Sequence, residues 1–197
     1  LKILIKDCDI VITNFKGEDA SKFGINFEDC KRINPNIIYA HIGGFKNNPN
    51  RVAFDIVLQA ETDFINRTGN KKEFAKMPVA LIDVLAAHQI KEGILTAMLL
   101  QGKEKKAYKV STTLEETAIA SLMNQSSNFL MANHQAKPLG TLHPNIAPYG
   151  EVVSTADGKK LILAIGTDHQ FEMFSNIISI EKKWKDKFRT NQRRVQG

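Results

Sequence analysis

Residues 9–42 read DIVITNFKGEDASKFGINFEDCKRINPNIIYAHI, and the fold is decided there. Asp9–Thr13 is a short apolar run of β-branched residues, the pattern of a buried strand. Gly17–Phe23 reads as a helical turn closed by Gly24. Asn26–Ile33 reads as a second helix, with Asn26 as its N-cap and Asn34-Pro35 as its stop. Asn36–Ile42 (NIIYAHI) reads as a second buried strand. A buried strand, helices and another buried strand make a βαβ unit, the building block of a parallel sheet covered on both faces.

Working outward, Leu1–Asp7 has the look of the last turns of an amphipathic helix. Ala53–Arg67 has helical periodicity. Asp83–Gln101 is a long helix with a stripe at Leu85, Ala86, Ile90, Gly93, Ile94, Ala97 and Met98. Tyr108–Thr112 reads as a strand and Leu114–Ala132 as a second long helix. The character changes after His134: three prolines and one glycine between Gln135 and Tyr149 read as a linker. Gly150–Ser154 and Lys159–Ile165 then flank an Asp157-Gly158 turn, a hairpin signal, and a helix is expected over 168–178. The expected organisation is thus α/β: a large parallel-sheet domain over 1–134, a linker over 135–149 and the start of a smaller α+β domain over 150–197.

Composition removes several function classes. The chain has 197 residues, 43% of them hydrophobic and 24% charged, as in ordinary globular proteins. Two cysteines cannot make a disulfide scaffold, and their spacing fits no metal or redox motif. No apolar run is long enough to span a bilayer and no signal peptide is evident, so a cytoplasmic location is expected. Of the formal net charge of +6, +5 falls between Glu181 and Arg194, where seven basic residues meet two acidic ones. The rest of the chain is close to neutral, whereas a nucleic-acid-binding domain carries its charge over a face. There is no phosphate-binding loop, no GxGxxG and no GxSxG, and the five histidines lack zinc-ligand spacing.

One residue stands out on physical grounds. Asp83 follows the apolar run 78–82 and opens the long helix, where a carboxylate meets unpaired backbone N–H groups and the positive end of the helix dipole. It reads either as an N-cap or as a nucleophilic carboxylate of the kind that forms covalent acyl intermediates.

Six segments, in order, carry a resemblance to a known family. DIVITNF (9–15) is similar to "adVlveNF", INPNIIYAHIGGF (33–45) to "lNPrliy.si.GF", and FDIVLQA (54–60) to "yDlv.QA". PVALIDVLAAHQIKEGILTA (78–97) is similar to the family segment with the catalytic aspartate and a glycine ten residues on, here Gly93. HPNIAPYGEVVSTADG (143–158) and KFRTNQRRV (187–195) are similar to "hP.iaPYg.y.taDG" and "RF.tN..Rv". The chain resembles the class III CoA-transferases, the family of formyl-CoA:oxalate and carnitine CoA-transferases that also includes α-methylacyl-CoA racemases.

The resemblance implies a Rossmann-like large domain and transfer of CoA from an acyl-CoA donor to a carboxylic acid, with no metal. It puts Asp83 on the nucleophile, which forms an aspartyl-acyl anhydride and then an aspartyl-CoA thioester. Backbone N–H groups at the helix start are expected to stabilise the developing oxyanions. Asp55 falls on a carboxylate near the active site. Asn14 and Phe15 fall on positions that contact CoA, Lys22 on one where the family carries an arginine near the nucleotide, and Phe23 on an adjacent apolar contact. Racemases of the superfamily have a histidine just before the second acid. Here it is Phe54, which removes a proton-transfer group that racemisation needs. Only Gly150 stands where some members carry a glycine-rich loop, which argues against oxalate-type specificity. Family members form interlocked homodimers. The family's first βα unit would precede Leu1, so the chain is expected to be a fragment, and an inactive truncated homologue is the alternative. The rival from another class is single-strand nucleic-acid binding by the 182–194 cluster with Trp184 and Phe188. The resemblance gives that segment an ordinary place in the family and implies neither nucleic-acid nor membrane partners.

Overall fold

The structure is a computed structural model that describes residues 1–196. It forms two compact units, one of Leu1–Asn66 with Lys76–Ala136, the other of Arg67–Ala75 with the residues from Lys137 onward.

In the first unit the chain runs α1 (Lys2–Asp7), β1 (Ile10–Thr13), α2 (Asp19–Lys22), α3 (Phe27–Ile33), β2 (Ile38–Gly43), α4 (Asp55–Glu61), and later α6 (Leu81–Gln101), β3 (Tyr108–Thr113), α7 (Leu114–Ser121) and α8 (Asn124–Ala132); α5 spans Phe64–Thr68. The three strands form one parallel sheet in the order β1-β2-β3. The α/β reading therefore holds. β2 lies in the middle, and Ile37, Ile38, Tyr39 and Ala40 are all buried. Alternation divides them between the faces. Ile37 and Tyr39 pack with Ile5, Ala20, Ile25 and Cys30 around α1–α3. Ile38 and Ala40 pack with Ile90, Ile94 and Ala97 of α6. β1 is an edge strand, and its Ile12 is 63% exposed.

Local signals explain most boundaries. Asn26 caps α3, its side chain accepting from Asp29 N at 2.9 Å, and Gly24 after α2 takes φ +63°. Two expected long helices are broken instead. Leu114–Ala132 divides into α7 and α8 at Met123, φ +53°, and the 53–67 stretch divides into α4 and α5 at Asp63, φ +71°. Neither residue is glycine or proline, so nothing in the pattern marks the breaks. The stripe of α6 runs through Ile82, Ala86, Ile90, Ile94 and Ala97; Met98 is 50% exposed. A Cβ on Gly93 would lie 2.2 Å from Val110 Cγ1, so a residue without a side chain lets α6 settle on β3.

In the second unit β4 (Tyr149–Ser154) and β5 (Lys160–Ala164) pair antiparallel around Gly158, φ +79°. α9 (Asp168–Ile177) opens with a Thr167/Gln170 capping box. α10 (Lys182–Lys187) and α11 (Asn191–Gln196) hold all of the 182–194 basic cluster except Arg189. Arg194, one of the cluster read as a nucleic-acid grip, is 8% exposed. Its guanidinium donates to Asp168 at 2.7 Å and to the carbonyls of Ala147, Phe188 and Arg189 at 2.6, 3.0 and 3.1 Å. This charge is internal and organises the unit. No helix among the described residues is long and apolar enough to cross a membrane.

Two outcomes are expected. Gly93→Ala forces overpacking against Val110, worth about 1–3 kcal/mol, partly offset by better helix propensity, about 0.5–1 kcal/mol. Thermal melts should show a midpoint lower by about 2–8 °C, restored in part by Val110→Ala in the same chain. Arg194 holds the Asp168 carboxyl below its ordinary 3.8. A depressed acid stabilises the fold above its unfolded pKa and loses that contribution as pH falls through the folded value. Arg194→Met should therefore lower the melting point at pH 7 and flatten the acid dependence of stability below about pH 4; an unchanged acid limb refutes this role.

Candidate functional site

Parallel α/β sheets bind ligands in the crevice beyond the carboxyl ends of their strands. A cleft of about 630 Å³ lies there in the first unit. Asn14 and Phe15 follow β1, Ile42–Gly44 end β2, Leu114 follows β3, and 51–55 lead into α4; Asp83 comes from the first turn of α6.

The two carboxylates have different tasks. α6 begins at Leu81, two residues before the expected start, with Ala80 at the N-cap and no cap from its own side chain. Asp55 supplies the cap from α4: its Oδ2 accepts Ile82 N at 2.7 Å and Asp83 N at 3.4 Å. Leu81 N donates to Val79 O at 2.9 Å, and Val84 N to Ala80 O at 3.1 Å. Every N–H of the first turn is thus engaged. The N-cap reading of Asp83 is corrected, because a carboxylate from another helix fills that place. The expected oxyanion donors at the helix start are likewise already spent.

Gln59, one turn after Asp55 and 1% exposed, locks the arrangement. Its Nε2 donates to Asp55 Oδ1, and its Oε1 accepts Met77 N at 2.8 Å. The acid and the amide of FDIVLQA thereby fix both the segment before α6 and the start of α6. No sequence signal separates this capping role from a catalytic one, since only the tertiary contact shows what Asp55 touches.

Asp83 is left at the cleft with its side chain uncommitted to any cap. Partial desolvation raises its pKa above the ordinary aspartate value, and the adjacent Asp55 charge adds to the rise. The residue is open to solvent. The group is an accessible carboxylate whose negative charge is less stabilised than that of a paired one. That is what a carboxylate nucleophile needs.

The remaining expected residues are arranged around it. Asn14 and Phe15 line the cleft. Phe23 does not, but its ring packs on Phe15 with centroids 5.5 Å apart. Lys22 also lies outside the lining and pairs with Asp19 at 2.7 Å on the surface. Phe54 lines the cleft and is 64% exposed, offering an apolar face where a racemase would need a proton carrier.

Residues that sequence reasoning missed include Lys16, Gly44 and Arg51. The Arg51 guanidinium sits 4.1 Å from the Phe45 ring centroid and forks onto Glu61 of α4. A Cβ on Gly44 would lie 2.5 Å from Ala53 Cβ, so the glycine lets the 51–53 segment close against the end of β2. The Gly43-Gly44 pair was the available signal; for Arg51 there was none.

The chain is similar to succinate–glutarate CoA-transferase of Agrobacterium fabrum, at 34% identity over 98% of this chain and 49% of that protein. It is also similar to succinyl-CoA:glutarate CoA-transferase of Mus musculus, at 30% identity over 100% of this chain and 46% of that protein. A crystal structure of a CAIB/BAIF family protein from Brucella suis superposes with a TM-score of 0.79 at 32% identity, covering 99% of this chain and 52% of the other. A Mycobacterium tuberculosis protein shares the fold, with a TM-score of 0.83 at 20% identity over 99% of this chain and 54% of that one. The chain spans about half the length of the curated relatives it matches. The family model described as CoA-transferase family III matches residues 1–197. With a match along the whole sequence and a third of its residues shared with a curated relative, the chain belongs to CoA-transferase family III.

Proposed function

We propose that the protein containing this chain transfers CoA from an acyl-CoA donor to a carboxylic acid acceptor, with Asp83 as the nucleophile. The observation that carries this reading is an uncapped, solvent-reachable Asp83 at the cleft beyond the strand ends, held on a helix whose first turn is satisfied by Asp55. The relatives' names point to short dicarboxylates such as succinate and glutarate as the acyl groups exchanged. The large domain is Rossmann-like, and the working protein is an interlocked homodimer located in the cytoplasm.

The chemistry balances without metal or redox cofactor. The Asp83 carboxylate attacks the donor thioester carbonyl; the C–S bond breaks and leaves a mixed anhydride and CoA thiolate. The thiolate attacks the aspartyl carbonyl, releases the donor acid and forms an aspartyl-CoA thioester. The acceptor carboxylate attacks that thioester, and the returning thiolate completes the product and frees Asp83. The overall exchange trades one thioester for another, and the covalent intermediates split it into successive acyl transfers. Asn14 and Phe15 contact the CoA moiety, Phe23 supports Phe15 from behind, and Lys22 lies on the phosphate side, where a cation pairs with an anion. Asp55 acts by holding α6, and through its charge on Asp83. Phe54 supplies no proton relay, which favours transfer over racemisation.

The decisive experiment uses the longest reading frame that contains this chain. Incubation with a panel of acyl-CoAs and hydroxylamine, read by peptide mass spectrometry, should place a hydroxamate on the Asp83 peptide. In Asp83→Asn the adduct should vanish and turnover fall by more than about a thousandfold. A folded protein that binds CoA yet forms no adduct with any donor refutes the transferase reading. Asp83 must be ionised to attack, so the rate should decline as pH falls through its raised pKa. Asp55→Asn removes the charge that adds to the rise caused by desolvation and should move the acid limb to lower pH; a limb that stays put or moves upward contradicts the assignment. The sign also runs through stability: an acid with a raised folded pKa weakens the fold once ionised, so Asp83→Asn should melt no lower than wild type at pH 7.

A further inference from the structure

We infer that His41, which no expected role included, is a positioning residue for the proposed acyl-CoA site; this rests on the reading of the cleft given above. β1 and β2 pair as far as Thr13 and His41, and there β1 ends. β2 continues to pair with β3 through Gly43 and Thr113. The chain leaving β1 therefore loses its ladder just where Asn14 and Phe15 turn into the cleft.

The His41 side chain extends the connection beyond the ladder. Its Nε2 lies 2.9 Å from the Phe15 carbonyl oxygen, which can only accept, so the imidazole is the donor. Gly43, two residues on along the same face of β2, lies beside the ring: a Cβ there would sit 3.4 Å from His41 Cε1. Two residues further on, Gly17 N donates to Pro49 O at 2.8 Å. The 14–17 turn is thus pinned at Phe15 by an imidazole and at Gly17 by backbone. Asn14 before the first pin, Phe15 at it and Lys16 between the two all line the cleft, and the Phe15 ring is braced by Phe23. A site built on a turn is only as well ordered as the contacts that hold the turn. His41 touches no cleft atom that reacts; it acts through the shape of the Asn14–Phe15 backbone.

The test compares His41→Ala, His41→Asn and His41→Gln in the longest reading frame that contains the chain. A glutamine amide reaches about as far as Nε2, whereas asparagine reaches only as far as Nδ1. Calorimetric titration with CoA should give a Kd about three- to tenfold weaker for the Ala and Asn variants, the loss of one hydrogen bond's worth of order, and near wild type for Gln. KM for succinyl-CoA should rise by the same factor while kcat stays within about twofold. CoA affinity equal in wild type and His41→Ala, or Gln behaving like Ala, overturns the assignment. Wild-type protein that binds CoA but transfers nothing removes the transferase reading and leaves His41 judged on Kd alone. Wild-type protein that fails to bind CoA removes the reading of the cleft, and this inference with it.

Discussion

The carboxylate of Asp55 on the first turn of α6 is the contact on which the site depends. A helix of 21 residues leaves orphaned N–H groups at its start, and here none of its own side chains covers them. Asp55 takes two of them from a different helix, and buried Gln59 ties that same carboxylate to the segment before α6. The result fixes where α6 begins. Everything that α6 carries follows: Asp83 at the cleft, Gly93 against Val110, and the stripe that covers one face of the sheet.

This arrangement also divides the labour between two acids that look alike in sequence. The one in the first turn of the helix takes no part in its cap, and the one 28 residues earlier caps it. An acid engaged by backbone donors is a poor nucleophile, because its charge is already neutralised by hydrogen bonds. Moving the capping task to Asp55 leaves Asp83 chemically available. The same division places a second negative charge beside it, which adds to the rise in the Asp83 pKa.

Much of this was legible in the residues. The continuous apolar run around Ile37–Ala40 announced a central parallel strand, and it is buried on both faces. Asn26 and Gly24 marked real helix ends, because their roles depend on neighbours a few positions away. What escaped reading depends on distant partners. The breaks at Asp63 and Met123 carry no glycine or proline. The start of α6 was misplaced because its cap comes from α4. The basic 182–194 cluster counted as surface charge until Arg194 proved to be bound to three carbonyls and Asp168 inside the second unit. Local chemistry announces itself in sequence; a side chain serving a remote backbone does not.

The position of β1 has a further consequence, for how the chain behaves among its own copies. One side of β1 pairs with β2 and the other has no neighbour among the described residues, while Ile12 offers an apolar side chain beside it. A bare strand edge is a template that any extended segment can join, and it has no specificity beyond its register. At four residues the edge is short, which limits how much it can recruit. That edge is where this sheet can take on a further strand, and its register there is set by the backbone groups of Ile10–Thr13.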